Sequence, residues 1–189
     1  MSTPSTLNRG PKFITDQPDW SKGVELEPQW MTDINRAHNS TEQRVRRRRV
    51  PRYRIKYTIS ALSTAEFSVR RSLSMREVQS PVVLPMWPLR FNPVNVSSPV
   101  LTFAEDLTNG PFRVGWMIYL QESGIGNGFW PIVAMDSGTV TLDVTTPLLG
   151  FTLAADVWPC IKGYRKDNTA TFDFTDLAAT DETIEVTDL

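Results

Sequence analysis

Between Glu42 and Ile59 the chain reads EQRVRRRRVPRYRIKYTI, with seven arginines and one lysine threaded through an alternating pattern. From Pro51 onward the apolar members Tyr53, Ile55, Tyr57 and Ile59 fall at every second position. That period belongs to a half-buried strand and not to an amphipathic helix. A strand of this kind sets several cations side by side on one sheet face, where mutual repulsion is unfavourable unless anions lie close by. The segment therefore requires an acidic counterpart, in this chain or in another.

Two sources of acid exist within the sequence. Val24, Leu26, Pro28, Trp30, Thr32 and Ile34 alternate with Glu25, Glu27, Gln29, Met31 and Asp33, a strand that can pair with the arginine strand as a long antiparallel hairpin across the polar turn 35–41. Pro28 argues for an edge position or a bulge in that strand. Local pairs of this sort are worth only tenths of a kcal/mol each when exposed. The second source is the C-terminal end, where Asp173, Asp176, Asp181, Glu182, Glu185 and Asp188 occur without a lysine or arginine. The net charge of −1 conceals this polarity. Identical copies could set the acidic end of one against the basic strand of the next, a head-to-tail contact that closes into rings. The candidate interface residues are accordingly Arg44, Arg46, Arg47, Arg48, Arg49, Arg52 and Arg54 on the basic side and Asp181, Glu182 and Glu185 on the acidic side.

The rest of the chain indicates a mainly β protein, an antiparallel sandwich or barrel, with one short helix that gives the N-terminal half an α+β character. Ser63-Thr64-Ala65-Glu66 is a capping box opening that helix, which should end near Gln79, ahead of Ser80-Pro81. Short strands are expected at Val82–Pro88, Val100–Phe103, Trp116–Gln121, Phe129–Met135, Thr139–Val144, Val157–Tyr164 and around Phe172 and Phe174, with Val82–Pro88 near a sheet edge or crossing between layers. Turns are marked by Asn109-Gly110-Pro111, by Gly124 to Gly128 and by Asp136-Ser137-Gly138. The organisation implied is an extended arm over 1–19, a hairpin-plus-helix ring-forming domain over 20–92, a small antiparallel β-module over 93–168, and an acidic strand and tail over 169–189. With 189 residues and 40% hydrophobic content there is enough chain to bury a core. No apolar run approaches the ~20 residues of a membrane helix, and the polar N-terminus lacks the apolar core of a secretory signal.

Catalytic signatures are not found in the sequence. His38 is the single histidine and falls in a polar turn, so no zinc set or Ser-His-Asp arrangement can be assembled around it. Gly124-Ile125-Gly126-Asn127-Gly128 lacks the Gly-Lys-Ser/Thr ending of a phosphate loop and leads into a strand, which makes it a hairpin tip. Cys160, flanked by Val157-Trp158-Pro159 and Ile161, reads as a buried strand thiol, and Trp87 reads as core. No catalytic residue, cofactor or metal ligand is assigned, and the chain is not expected to be an enzyme. Two other functions use different residues. Arg46 to Arg49 with Tyr53 and Tyr57 combine cations and stacking aromatics suited to nucleic acid, although the pI of about 5.9 and the acidic end oppose a phosphate backbone. Trp116, Trp130 and Trp158 could serve as stacking surfaces of a carbohydrate-binding receptor-recognition domain, but core packing accounts for them more simply.

Taken in order, Trp30-Met31-Thr32-Asp33, Thr41-Glu42-Gln43-Arg44, the arginine segment Arg46 to Tyr57, the helix Ala65 to Arg76 and Leu84-Pro85-Met86-Trp87-Pro88 resemble the small structural proteins at the distal end of tailed-bacteriophage tails, the distal tail and baseplate-hub group. The resemblance covers roughly residues 20–165 and lies in the succession of elements, no one of which is diagnostic. The N-terminal arm and the acidic end after Lys166 have no counterpart in it. It implies a non-enzymatic virion subunit, assembled in the host cytoplasm, that forms a homo-oligomeric ring (a hexamer, or a trimer where the tip narrows) joining the tail tube to tip, hub or fibre proteins. On this expectation the arginine strand meets carboxylates across a subunit boundary, where guanidinium can fork two bonds and stay charged.

Overall fold

The computed structural model describes residues 11–30, 32–36, 42–46, 51–61, 81–143, 150–165, 172–176 and 179–188. It is mainly β: fourteen strands, with one 3-10 turn at Trp20–Lys22 as the helical piece among the described residues. The helix expected over 63–79 and the turn around His38 lie outside them.

The hairpin read from the sequence is present in two ladders. Strand β2 (Val24–Gln29) runs antiparallel to β5 (Arg52–Ala61), with Glu25 opposite Lys56 and Glu27 opposite Arg54. Further out, β3 (Thr32–Arg36) pairs with β4 (Glu42–Arg46), with Asp33 opposite Val45. Residues 30–31 on one side and 47–51 on the other separate the ladders, so the register differs between them. Among the described residues β2 has β5 as its one ladder partner and forms a sheet edge. Pro28, which offers no N–H, is tolerated in that position.

On its other side β5 pairs with β14 (Ala179–Asp188), an eight-residue antiparallel register from Thr180↔Ala61 to Thr187↔Arg54. The acidic end is thus an internal strand of the sheet. β13 (Phe172–Asp176) returns along its other edge. Alternation along β5 is as expected: Tyr53, Ile55, Tyr57 and Ile59 are buried, while Arg52, Arg54, Lys56 and Thr58 are half-buried.

β12 (Asp156–Arg165) joins the two halves of the molecule. Val157 exchanges both backbone hydrogen bonds with Phe91, and the Pro159 carbonyl accepts from Met86 N at 2.9 Å, so the odd positions face the side occupied by β6 (Val82–Pro85). The missing N–H of Pro159 falls on that side, where the carbonyl alone is used. β6 is one strand in from an edge, covered by the two-residue β1 (Lys12–Phe13). The other side of β12 pairs first with β9 (Met117–Glu122) and then, over Gly163–Arg165, with β14. From β9 the sheet continues through β10 (Gly126–Met135), β11 (Thr139–Leu142), β8 (Val100–Thr102) and β7 (Asn95–Ser97). The tip between β9 and β10 contains Gly124 and Gly126 at positive φ, and Asp136 N donates to Thr139 O at 3.0 Å in the next turn.

Two hydrophobic clusters result. One gathers Tyr53, Ile55, Tyr57, Ile59, Trp87, Tyr119, Trp158 and Ile184; the other gathers Leu101, Phe103, Ile118, Leu120, Trp130, Val140 and Val157. Tyr119 and Trp158 belong to the first, while their neighbours Ile118, Leu120 and Val157 belong to the second. β9 and β12 are therefore a common wall with a core on each face. Their uninterrupted apolar runs, Met117-Ile118-Tyr119-Leu120 and Val157-Trp158-Pro159-Cys160-Ile161, suit strands with no polar face. Trp87 stands edge-on to Tyr119 and Trp158 at 5.6 and 5.3 Å. Cys160 is buried, and loss of water pushes its thiol pKa well above the usual value.

Candidate functional site

Flanking β5 with β2 and β14 places acid on both sides of its cations. Arg54 Nε donates to Glu185 Oε1 at 2.6 Å and Nη1 to Glu27 Oε2 at 3.2 Å, so one guanidinium ties three strands together. Glu185 lies directly opposite Lys56, which makes its bond to Arg54 a diagonal cross-strand pair, within reach of long side chains. Lys56 Nζ approaches Glu25 Oε1 at 3.8 Å. The Arg54 pKa is raised, chiefly by the Glu185 hydrogen bond. Arg54 and Glu185, both candidates for contact with a neighbouring copy, are engaged with each other inside one chain.

The remaining candidates are distributed differently. Arg52 is half-buried in β5 opposite Gln29. Arg44 and Arg46 lie in β4, opposite Ile34 and Thr32, in the separate two-stranded ribbon. Arg47, Arg48 and Arg49 lie outside the described residues. Asp181 and Glu182 sit in β14 opposite Ser60 and Ile59, at the end of β5 away from the ribbon.

Arg113 was not legible as a functional position, being a single cation in a long turn. Its guanidinium lies 4.1 Å over the Trp116 ring, and Nη2 donates to the Pro51 carbonyl. This fastens the base of the ribbon to the second half of the chain. The neighbouring Tyr53 hydroxyl has a raised pKa because burial outweighs the opposing field of Arg113. Of the tryptophans considered for sugar stacking, Trp130 and Trp158 are buried and Trp116 packs against the first core. The exposed ones are Trp20 and Trp30. Among the described residues no group of three or more His, Cys, Asp or Glu is placed to hold a metal ion, and no helix is long and apolar enough to cross a membrane.

No protein-family model matches the chain, and no curated protein matches it.

Proposed function

We propose that this chain is a structural subunit of a tailed-phage particle, a ring-forming distal tail or baseplate protein that connects the tail tube to the tip or fibre apparatus. It would be assembled in the host cytoplasm and carried in the virion, as a hexamer or, at a narrower level, a trimer. One observation carries the reading: of the candidate residues, Arg44 and Arg46 fall in the ribbon beyond one end of β5, and Asp181 and Glu182 fall in β14 beside its other end. Eight residues of strand separate them, roughly 25 Å at the usual rise. Complementary patches at the two ends of one subunit favour heterologous contact, the kind that generates rings. The ribbon adds to this, because a two-stranded hairpin alone is marginally stable in water and gains from a surface supplied by a neighbour.

Mass photometry of the purified chain at low and high salt, alone and with tail-tube and tip proteins, tests the proposal. Closed oligomers should form at low salt and dissociate near 1 M, where screening acts over about 3 Å. Arg44→Glu with Arg46→Glu should abolish them, and adding Asp181→Lys with Glu182→Lys should restore them in part. A monomer under every condition, with no binding to the tail proteins, would refute the reading.

A further inference from the structure

A cleft of about 600 Å³ opens where the turn before β2 approaches the ends of β9 and β12. Trp20 forms one wall and is 57% exposed, while Trp158 closes the floor at 7% exposure, backed by Trp87. Leaving an indole this open costs hydrophobic free energy, and a loose loop would let it fold down onto the apolar surface nearby. The turn that carries it is instead held firmly. Asp19 accepts from Ser21 N at 3.0 Å, Ser21 Oγ at 2.6 Å and Ser60 Oγ at 2.9 Å, and its own N–H donates to the Thr58 carbonyl at 2.8 Å. The backbone that carries Trp20 is thereby tied to β5, with the indole on the rim of the cleft.

Planar polar side chains ring the cleft, and two of their mutual contacts are long. Gln17 Nε2 and Gln121 Oε1 are 3.5 Å apart, at the limit of a hydrogen bond, and Arg90 Nε is 3.7 Å from Asp156 Oδ1. Asn92 Nδ2 donates to the same Oδ1 at 2.8 Å, which leaves Asp156 Oδ2 open to accept. Amides, a carboxylate and a guanidinium of this kind match pairs of vicinal hydroxyls, each of which both donates and accepts. One cation and one anion face each other, so the lining has no surplus charge to select a phosphate or a carboxylate.

We propose that this cleft binds a neutral oligosaccharide, with the C–H face of one pyranose packed on the Trp20 indole and its hydroxyls bridging Gln17, Gln121 and Asp156. The volume is within the range of small-molecule sites. The inference does not depend on ring formation, since none of these residues lies in the β3–β4 ribbon.

The full-length protein would be screened on an array of neutral and acidic oligosaccharides, then titrated calorimetrically with maltotriose, cellotriose and chitotriose and with any neutral glycan that the array identifies. Binding of a neutral oligosaccharide is expected, weakened about ten-fold or more by Trp20→Ala and partly regained in Trp20→Phe. Gln121→Ala should weaken it less. Because Trp20 is largely exposed, its removal should leave the melting temperature nearly unchanged, separating lost binding from lost fold. The proposal is overturned if no neutral glycan binds, if binding survives Trp20→Ala, or if only sulfated, phosphorylated or sialylated glycans bind. Capture of a proline-rich peptide in the same cleft, with no sugar bound, would also overturn it.

Discussion

Sharing β9 and β12 between two cores makes a definite demand on how the protein unfolds, and a pair of cavity variants tests it. Ile55 in β5 and Leu101 in β8 are both 0% exposed, and they belong to different clusters. Truncating either to alanine removes about 1.5–3 kcal/mol of burial and leaves a cavity, which brings the usual cost to about 2–5 kcal/mol. Taking about 3 kcal/mol, and about 2–4 °C per kcal/mol for a chain of this length, each variant should melt about 6–12 °C below the parent. Since Tyr119 and Trp158 face the first cluster while Leu120 and Val157 on the same strands face the second, neither core can open without exposing the wall of the other. Differential scanning calorimetry should show one transition in the parent, in Ile55→Ala and in Leu101→Ala, displaced as a whole, with calorimetric and van't Hoff enthalpies in agreement. Intrinsic fluorescence, reporting Trp87 and Trp158 in one cluster and Trp130 in the other, should coincide with far-UV circular dichroism. Two resolved transitions, each moved by only one of the substitutions, would refute the shared-wall reasoning and return the halves to independent domains.

Two further outcomes follow from individual contacts. A Cβ on Gly128 would stand 2.8 Å from Trp130 Cη2 and 2.9 Å from Cζ3, so Gly128→Ala must displace a buried ring; a loss of about 1–3 kcal/mol by chemical denaturation is expected, and an unchanged midpoint would show that the ring has room to yield. The Asp19 pKa is lowered from the usual 3.8, chiefly by the Ser21 side-chain hydrogen bond and then by Ser60. A carboxylate with a lowered folded pKa stabilises fully above the unfolded value and loses that contribution as pH falls through the folded one. The melting-temperature gap between the parent and Asp19→Asn should therefore be widest above about pH 4 and close toward pH 2; a gap that does not change with pH would mean that the carboxylate's charge is not what these hydrogen bonds hold.

Period-two alternation made β5 and β2 readable, because each has one apolar and one polar face and the pairing partner is close in sequence. β9 and β12 were readable as short apolar strands, but that both of their faces are buried shows only in the structure. β14 was harder. Thr183-Ile184-Glu185-Val186 carries the same alternation, but acidic residues are depleted from strands, and Glu185 is compensated by Arg54, more than a hundred residues away. A pairing at such separation leaves no local mark. Trp20 carries no local mark of a binding role in the sequence. Its proposed role depends on Ser60 and Thr58 in β5 holding Asp19, and on β9 and β12 supplying the opposite wall, none of which is adjacent in the chain.

The arginine segment divides at Pro51, and the division separates two electrostatic tasks that composition alone merges. Beyond Pro51, Arg54 and Lys56 find their acids on the strands either side of them, so those pairs form at the high local concentration that sheet pairing guarantees and respond little to protein concentration. Before Pro51, Arg44 and Arg46 belong to a ribbon that, among the described residues, has no ladder to the main sheet. Pro51 is itself buried, and its carbonyl is held by Arg113, so the point of change is anchored. Salt should then act on the two groups unequally. A half-buried pair such as Arg54 and Glu185, at 30% and 13% exposure, is screened less than charges in open solvent. On the proposed ring assembly, raising the salt should therefore dissociate the oligomer well before it loosens the fold of the subunit.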